Sequence, residues 1–408
     1  MMARSSFLAY LSAATLTVAG ELEFAESFSS EPQSQGNFWA DLAERQLYKN
    51  KDNPWISSVK VEGRAHYQAA WVDGNDTDGN GFSGDFEEFR RFRVGTEIDF
   101  LTAFEVSVGV NLVDDERYED GDLSMGVEDY ANAYLRLSVD KLFDLPFLDE
   151  LEFTYGRQKV RVGYEAHRSS NELITVERSA LSNRIRGEGS RRTGFLLGAE
   201  KDDFTLNLGV FSHDRSDFVG SWNHGHFYYG SLQWDLSKQW TLLIDGIINE
   251  GQGLDEALGY DWVTSLSVLY EKKRFGMSFN LAMGDNGDAR NQVFDEDRQG
   301  AFYGAVFTPW CWILEDRLQL VGQAQYQISD ESEGIRLADR YLIPFHDAGT
   351  AEVNNGRGDE HFSAYLGLNF HPWKGESRVM VGVQYDDLQT PDGNLDAITT
   401  FLAFRTSF

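Results

Sequence analysis

From Ile56 to the end of the chain, apolar and polar residues alternate with a period of two. In the first such segment, one set of alternate positions is mainly apolar and the other is polar or charged. The apolar set is Val59, Val61, Ala65, Tyr67, Ala69 and Trp71, and the polar set is Lys60, Glu62, Arg64, His66 and Gln68. Successive side chains of a β-strand point to opposite faces of the sheet, so this period predicts strands with one apolar and one polar face.

The alternation recurs in 16 segments, and their number predicts a closed barrel. The segments cover residues 56–72, 88–100, 103–113, 127–139, 151–158, 192–201, 204–211, 227–236, 240–249, 262–270, 275–284, 301–310, 318–328, 361–370, 378–385 and 397–408. An even number of antiparallel strands, apolar toward lipid and polar toward water, is typical of bacterial outer-membrane barrels. The sequence therefore predicts an all-β fold, a transmembrane antiparallel β-barrel of 16 strands.

The connections between these segments alternate in length. Tight turns are predicted at 101–102, 202–203, 237–239 and 271–274, and long Asp/Gly/Asn-rich loops at 73–87, 114–126, 159–191, 212–226, 250–261, 285–300, 329–360 and 386–396. Short periplasmic turns and long external loops are the arrangement of outer-membrane barrels. We therefore expect the chain to lie in the outer membrane of a Gram-negative-type bacterium, in contact with its lipid.

The first 54 residues do not follow this period. Residues 1–20 combine Arg4 with an apolar run that ends in small residues, which predicts a secretory signal peptide. Residues 21–54 are polar and acidic, and the spacing of apolar residues predicts a short helix over 38–48 within a periplasmic segment. The barrel is predicted over 55–408, where no run of apolar residues is long enough for a membrane-spanning helix.

Composition narrows the function further. The formal charge of −30 argues against binding to nucleic acid, whose phosphates need cations. Cys311 is the only cysteine, so no intrachain disulfide can form.

The connection after the fifth strand carries the most informative motifs. It contains Gly-Arg-Gln-Lys at 156–159, Gly-Tyr-Glu at 163–165 and Glu-Arg-Ser at 177–179. This stretch resembles the phosphate-selective porin O and P family, which has a Gly-Arg/Lys-x-Lys stretch and a Glu-Arg-Ser box at these places. The sequence departs from the family at 161–162, where Arg-Val stands in place of Pro-Phe. The resemblance implies that this third long loop, 159–191, folds into the barrel and narrows the pore, and that the protein is a homotrimer.

The same stretch is basic within an acidic chain. Nine cations against four glutamates give +5 between 157 and 192, which leaves −35 for the rest of the chain. A charge about 7 Å from a permeating ion contributes roughly 0.6 kcal/mol even in water, whereas external acidic loops beyond a Debye length of about 8 Å are screened. We therefore expect a preference for small anions, with phosphate or other oxyanions as candidates, and a general diffusion porin of weak selectivity as the alternative.

The anion path is predicted to use two sets of basic residues. The loop set is Arg157, Lys159, Arg161, Arg168, Arg178, Arg184, Arg186, Arg191 and Arg192, and the wall set is Arg64, Arg91, Arg93 and Arg136. Rings of Arg and Lys are a known means of selecting anions. The competing interpretation is that these arginines pair with acids and hold the loop in place, with Glu177 as the first partner.

Residues 76–87 match the spacing of an EF-hand calcium loop. Asp76, Asp78, Asn80 and Glu87 would be the ligands, although the flanking residues are predicted strands and not helices. A calcium-dependent surface protein is therefore one rival function, and an ordinary acidic turn is the simpler interpretation. An outer-membrane hydrolase is another rival, but the consecutive Ser212-His213-Asp214 cannot converge as a catalytic triad. A passive channel needs no cofactor, so none is predicted apart from calcium in this loop.

Overall fold

A computed structural model of the chain describes residues 46–117, 126–186, 191–214, 216, 219–223, 225–250, 258–287, 300–337, 339–373 and 377–407. The predicted signal peptide, most of the segment 21–54 and Phe408 lie outside the described residues. Within the described part of the chain, no helix is both long and apolar enough to cross a membrane.

The described residues form one large antiparallel sheet and a few short elements. A short strand, β1 (Gln46–Lys49), precedes the strands of the ring. The ring strands are β2 (Ile56–Asn75), β3 (Gly81–Phe100), β4 (Phe104–Arg117), β5 (Asp129–Ser138), β6 (Glu150–Lys159), β7 (Arg191–Lys201), β8 (Phe204–Ser212), β9 (His226–Ser237), β10 (Trp240–Asn249), β11 (Trp262–Lys272), β12 (Phe275–Asp285), β13 (Ala301–Leu314), β14 (Leu318–Ser329), β17 (Glu360–Trp373), β18 (Ser377–Thr390) and β19 (Gly393–Ser407). The short strands β15 (Ile335–Arg336) and β16 (Arg357–Gly358) pair with each other. Three short helices, α1 (Tyr164–His167), α2 (Ala180–Ile185) and α3 (Ile343–Asp347), lie in loops.

The last strand closes the sheet on the first strand of the ring. β19 pairs antiparallel with β2 from Asp396 opposite Asn75 to Ser407 opposite Arg64. Closure removes both free sheet edges, which a bilayer would otherwise leave without hydrogen-bond partners. The predicted barrel of 16 strands is confirmed.

Strand β1 pairs with the part of β2 that lies beyond the end of β19 at Ser407. It pairs with β2 at Gln46 opposite Lys60 and at Lys49 opposite Ser58. The helix predicted over 38–48 is therefore wrong for residues 46–48, which are extended because they complete the hydrogen bonding of β2 where β19 has ended.

Two predicted external loops are instead extensions of strands. The connection between β2 and β3 is only residues 76–80, and that between β18 and β19 is only residues 391–392. The loops predicted at 73–87 and 386–396 are wrong because their inward positions are apolar and buried. These inward residues are Phe82, Leu388, Leu395 and Ala397.

Candidate functional site

The connection between β6 and β7 lies inside the ring. Its described part, residues 160–186, hydrogen-bonds to inward-facing side chains of widely separated strands. The wall residues that make these bonds are Arg64, His66 and Gln68 of β2, Asp245 of β10, Gln323 and Gln325 of β14, Asn369 of β17, Arg378 of β18 and Arg405 of β19. Strands β2 and β10 lie opposite each other in the ring, so a loop that contacts both crosses the lumen.

Local sequence explains how this loop, here called the crossing loop, holds its shape. Ser179 caps α2 by accepting a hydrogen bond from the Ser182 amide at 3.2 Å. Glu165 accepts in turn from the Ser179 amide at 2.9 Å, so α2 is tied to α1. Gly163 has φ +78°, and its amide donates to the Asp245 carboxylate at 3.0 Å. The turn requires glycine because this backbone region disfavours side chains.

Glu177 anchors the crossing loop to β2 and β3. Its carboxylate accepts from Gln68 Nε2 at 2.7 Å and from Arg90 Nε at 2.9 Å. Burial raises the pKa of Glu177, but the Arg90 charge and hydrogen bond lower it more, so the pKa lies below its usual range. This carboxylate is therefore an ionised structural group, as the competing interpretation of the sequence expected.

Basic side chains gather where the crossing loop meets β6 and β7. The charges that act most strongly on Lys159 are those of Arg178, Arg161, Arg191 and Arg186, and all four are positive. Burial and the neighbouring charge of Arg186 lower the pKa of Arg178 to about 9. We call these five residues the basic cluster. The four arginines of the cluster carry like charges, and like charges near one point attract an anion more strongly than any one of them would alone.

Members of the basic cluster differ in exposure. Arg161 is exposed, Arg186 and Arg191 are half-buried, and Arg178 is buried. Lys159 donates to the Arg168 carbonyl oxygen at 3.0 Å. Arg161 is thus the member with the most open access to water.

Four predicted wall residues lie on inward-facing positions of the ring. Arg64 donates to Ser170 Oγ at 3.1 Å, and Arg93 donates to Asn111. Arg91 is buried and acts electrostatically on Glu177. Arg136 pairs with Glu105 and Glu152 at 3.3 Å and 3.4 Å.

The remaining predicted loop residues have different surroundings. Arg168 donates to Tyr164 OH at 3.0 Å. Arg184 is buried, with its guanidinium carbon 4.2 Å from the centre of the Phe302 ring. Arg192 is also buried and donates to the Arg191 carbonyl oxygen at 2.8 Å.

Arg157 was predicted for the anion path, and its placement in the structure is different. It has the same parity as Phe153 and Tyr155, which face outward from β6. Its guanidinium donates to the Tyr130 carbonyl oxygen at 2.8 Å and pairs with Asp129 at 3.4 Å. Strand parity therefore directs Arg157 away from the lumen, which charge density along the chain does not reveal, and its role in the anion path stays a prediction.

Four further cations join the inner wall to the loops inside the ring and were not predicted. They are Arg90, Arg340, Arg378 and Arg405. The alternation of β18 and β19 would have placed Arg378 and Arg405 inward. Arg90 follows no simple alternation, because register shifts in β3 turn consecutive Arg90 and Arg91 both inward.

A second loop also packs against the inner wall. Arg340 pairs with Glu88 of β3 at 2.6 Å, and Tyr341 OH donates to the same carboxylate at 2.6 Å. Phe345 packs on Phe82 with ring centres 4.7 Å apart. We call residues 330–359, apart from residue 338, the packing loop. It covers the apolar inner face of the extended β2–β3 and β18–β19 hairpins.

The predicted calcium ligands are not gathered. Asp76 accepts from the Asp78 and Asn80 amides at 3.1 Å and 2.7 Å, as in an ordinary Asp-initiated turn. Glu87 pairs with Ala69, six positions from the turn, and accepts from Tyr67 OH. Calcium binding stays a prediction, and Glu87 lies outside the turn that holds Asp76, Asp78 and Asn80.

Comparison with known proteins agrees with this architecture. Residues 59–235 match the model of the family described as phosphate-selective porin O and P. No curated protein matches the chain. Similar solved structures include the outer membrane channel DcaP of Acinetobacter baumannii, with TM-score 0.59 and 13% identity over 88% of this chain and 99% of that one. The anion-selective porin from Comamonas acidovorans has TM-score 0.56 and 12% identity over 86% of this chain and 99% of that one.

OmpF of Salmonella typhi is similar too, with TM-score 0.55 and 12% identity over 88% of this chain and 99% of that one. At such identities these likenesses show the fold alone. The resemblance read from the motifs at 156–179 is confirmed, since they lie within the matched residues. The chain is therefore a 16-stranded β-barrel with the porin fold, and its residues 59–235 carry the signature of the phosphate-selective porin O and P family.

Proposed function

We propose that the protein is an outer-membrane diffusion channel that passes small anionic solutes. The observation that carries the proposal is the basic cluster on and beside a loop that crosses the lumen. Lys159 and Arg178 donate to the same Arg168 carbonyl oxygen, and Arg191 lies opposite Lys159 in the sheet. The family match and the porin fold support a channel in the outer membrane. A channel performs no covalent chemistry, so we assign no catalytic residue.

Local charge outweighs the net charge of the chain at this point. Each cation about 7 Å from an ion contributes roughly 0.6 kcal/mol at the dielectric constant of water, and more in the narrower space of a lumen. The acids of distant external surfaces are screened beyond about 8 Å at physiological salt. A protein of net charge −30 can therefore attract anions at its neck.

A general diffusion porin of weak selectivity is the second candidate, and one observation favours it. Arg378 and Arg405 donate to backbone carbonyl oxygens of the crossing loop, at Asn171 and Ser170. Cations used in this way hold the loop in place and are directed away from a permeating ion. The effect of Arg161, the exposed member of the basic cluster, on ion preference therefore distinguishes the two candidates.

The test is the reversal potential of the purified protein in planar bilayers across a KCl gradient. We expect the sign for chloride preference in the wild type and a smaller potential in Arg161→Gln. Lys238→Gln is the matched control, because it makes the same charge change in an exposed turn. A cation-selective wild type contradicts the anion proposal, and a wild type near zero supports the general porin.

Phosphate and the trimer are finer parts of the proposal. Inorganic phosphate added at low concentration should reduce the chloride current if the basic cluster binds oxyanions, since a guanidinium group fits phosphate oxygens. Cross-linking of the native protein should give bands of the monomer, dimer and trimer if the homotrimer implied by the resemblance forms. A current unchanged by phosphate limits the function to small anions in general.

A further inference from the structure

One side of the barrel interior is filled by protein. On β12, β14, β17 and β19 the described inward-facing side chains are buried along most of each strand, including polar ones. The buried polar residues include Asn280, Gln323, Gln325, Gln327, Asn369 and Thr399. Three of these bond directly to the crossing loop: Gln323 to Glu165, Gln325 to Leu181 and Asn369 to Ile174.

Inward-facing glycines on this side have no free space in front of them. A methyl group placed at Gly304 of β13 would lie 2.7 Å from Leu181 Cδ1 of the crossing loop. On β3, which is separated from β19 only by β2, one placed at Gly84 would lie 2.8 Å from Phe345 Cζ of the packing loop. Both loops are therefore in van der Waals contact with the wall at these positions.

The opposite side of the interior is open. Several inward-facing polar side chains of β5, β6, β8 and β9 are half-buried, although others on the same strands, such as Thr154 and Ser231, are buried. The half-buried ones are Asn132, Tyr134, Arg136, Glu152, Asn207, Gln233 and Asp235. A methyl group placed at Gly109 of β4 would meet its nearest atom at 3.7 Å, which is an ordinary contact.

The open side is continuous with the basic residues. The residues that line a recess in the inner wall include Arg64, Arg93, Asn132 and Arg191, together with one acid, Glu62. Arg191 also belongs to the basic cluster, beside the exposed Arg161. An ion that enters along this wall therefore meets the cluster without crossing the packed side.

We propose that the conducting path is eccentric and runs along the inner faces of β4, β5, β6, β8 and β9, with Asn132, Asn207 and Gln233 among its lining residues. This inference rests on the proposed channel function and deepens it by naming the wall that a solute touches. The packed side, from β12 to β19, then supports the crossing loop and takes no part in permeation.

Thiol accessibility tests the path. The parent is Cys311→Ser, which removes the only native thiol. Asn207→Cys and Gln233→Cys probe the open side, and Asn369→Cys and Gln325→Cys are matched controls with the same original residues on the packed side. The probe is a sulfonate-bearing methanethiosulfonate, and the readouts are single-channel conductance and the mass of the modified protein.

We expect modification and a partial loss of conductance in Asn207→Cys and Gln233→Cys, and neither change in Asn369→Cys and Gln325→Cys. Reaction confined to the packed side, reaction at all four positions or reaction at none overturns the eccentric path. If Asn369→Cys fails to fold, Ser363→Cys replaces it, because that inward residue of β17 is equally buried and smaller. A folded Cys311→Ser parent that conducts no ions contradicts the channel function itself, whereas a conducting parent with the wrong pattern contradicts only the path.

Discussion

Glu177 offers the sharpest test of how the crossing loop is held. In Glu177→Gln the side chain keeps its size, but the negative charge facing Arg90 is lost. The Arg90 and Glu177 side chains are only 8% and 17% exposed, so the remaining cation stays largely out of water. Removing one partner of a buried ion pair costs about 3–5 kcal/mol. If docking of the loop is weakened by about 3 kcal/mol, its undocked population rises about 100-fold, because each 1.4 kcal/mol changes an equilibrium constant tenfold.

Native-state trypsin digestion measures this population. A protease cannot enter the lumen, so cleavage after Arg178 requires the loop to leave it. When opening is fast, the cleavage rate follows the equilibrium population of the open form. Mass spectrometry of the fragment ending at Arg178 should show about 100-fold faster cleavage in Glu177→Gln.

Two controls make the result interpretable. Glu172→Gln removes an exposed glutamate of the same loop and should be cleaved at the wild-type rate. Synthetic peptides spanning 170–186, with and without the Glu177→Gln change, correct for the effect of the neighbouring residue on trypsin. Wild-type cleavage of Glu177→Gln would refute the anchoring role. Additive effects of Arg90→Gln and Glu177→Gln on the cleavage rate of the double variant would also refute it, because the effects of two residues that interact directly are not additive.

Three further predictions follow from the loops. Burial and the nearby Asp386 charge raise the pKa of Asp339 to about 7. The docked packing loop therefore favours the protonated carboxyl, so docking is strongest below about pH 4 and weakens as the pH rises to about 7. Hydrogen exchange over residues 339–347, corrected for intrinsic rates, should be faster near pH 8 than near pH 5, and Asp339→Asn should abolish the difference. Gly163→Ala should raise trypsin cleavage after Arg178 about tenfold, because φ +78° costs a side chain about 1–2 kcal/mol; an unchanged rate would show that the turn tolerates a side chain. Arg157→Gln should keep the wild-type reversal potential, since this residue lies outside the lumen, and a shift toward cations would return it to the anion path.

The ring of strands could be predicted from the sequence because its signal is local and repeated. Alternation with a period of two is imposed by lipid on one side and water or polar protein on the other. It fails where both faces of a strand meet apolar surroundings. At 81–87 and 386–396 the inward face is mostly apolar because it packs on a loop that begins about 250 residues after Phe82 in sequence. No local pattern contains that contact.

The basic residues were found by counting charges, and this method has a clear limit. A local excess of arginine shows that cations gather, but it does not show which way each side chain points. Arg157 satisfies the charge count and fails the parity of β6, whereas Arg378 and Arg405 satisfy parity in a part of the chain with little local excess. Strand parity and charge density must therefore be combined before a residue is assigned to the lumen.

The two uses of arginine in this barrel explain why ion selectivity cannot be inferred from the total number of basic residues. A guanidinium that donates to loop carbonyl oxygens, such as Arg405 at 3.2 Å from the Ser170 oxygen, spends its hydrogen bonds on fixing the loop. An exposed guanidinium such as Arg161 keeps its field in the water that a solute crosses. The first kind makes the neck of the pore narrow and rigid, and the second kind gives the neck a positive electrostatic potential. Changing Arg405 should therefore alter conductance noise and loop cleavage more than ion preference, and changing Arg161 should do the reverse.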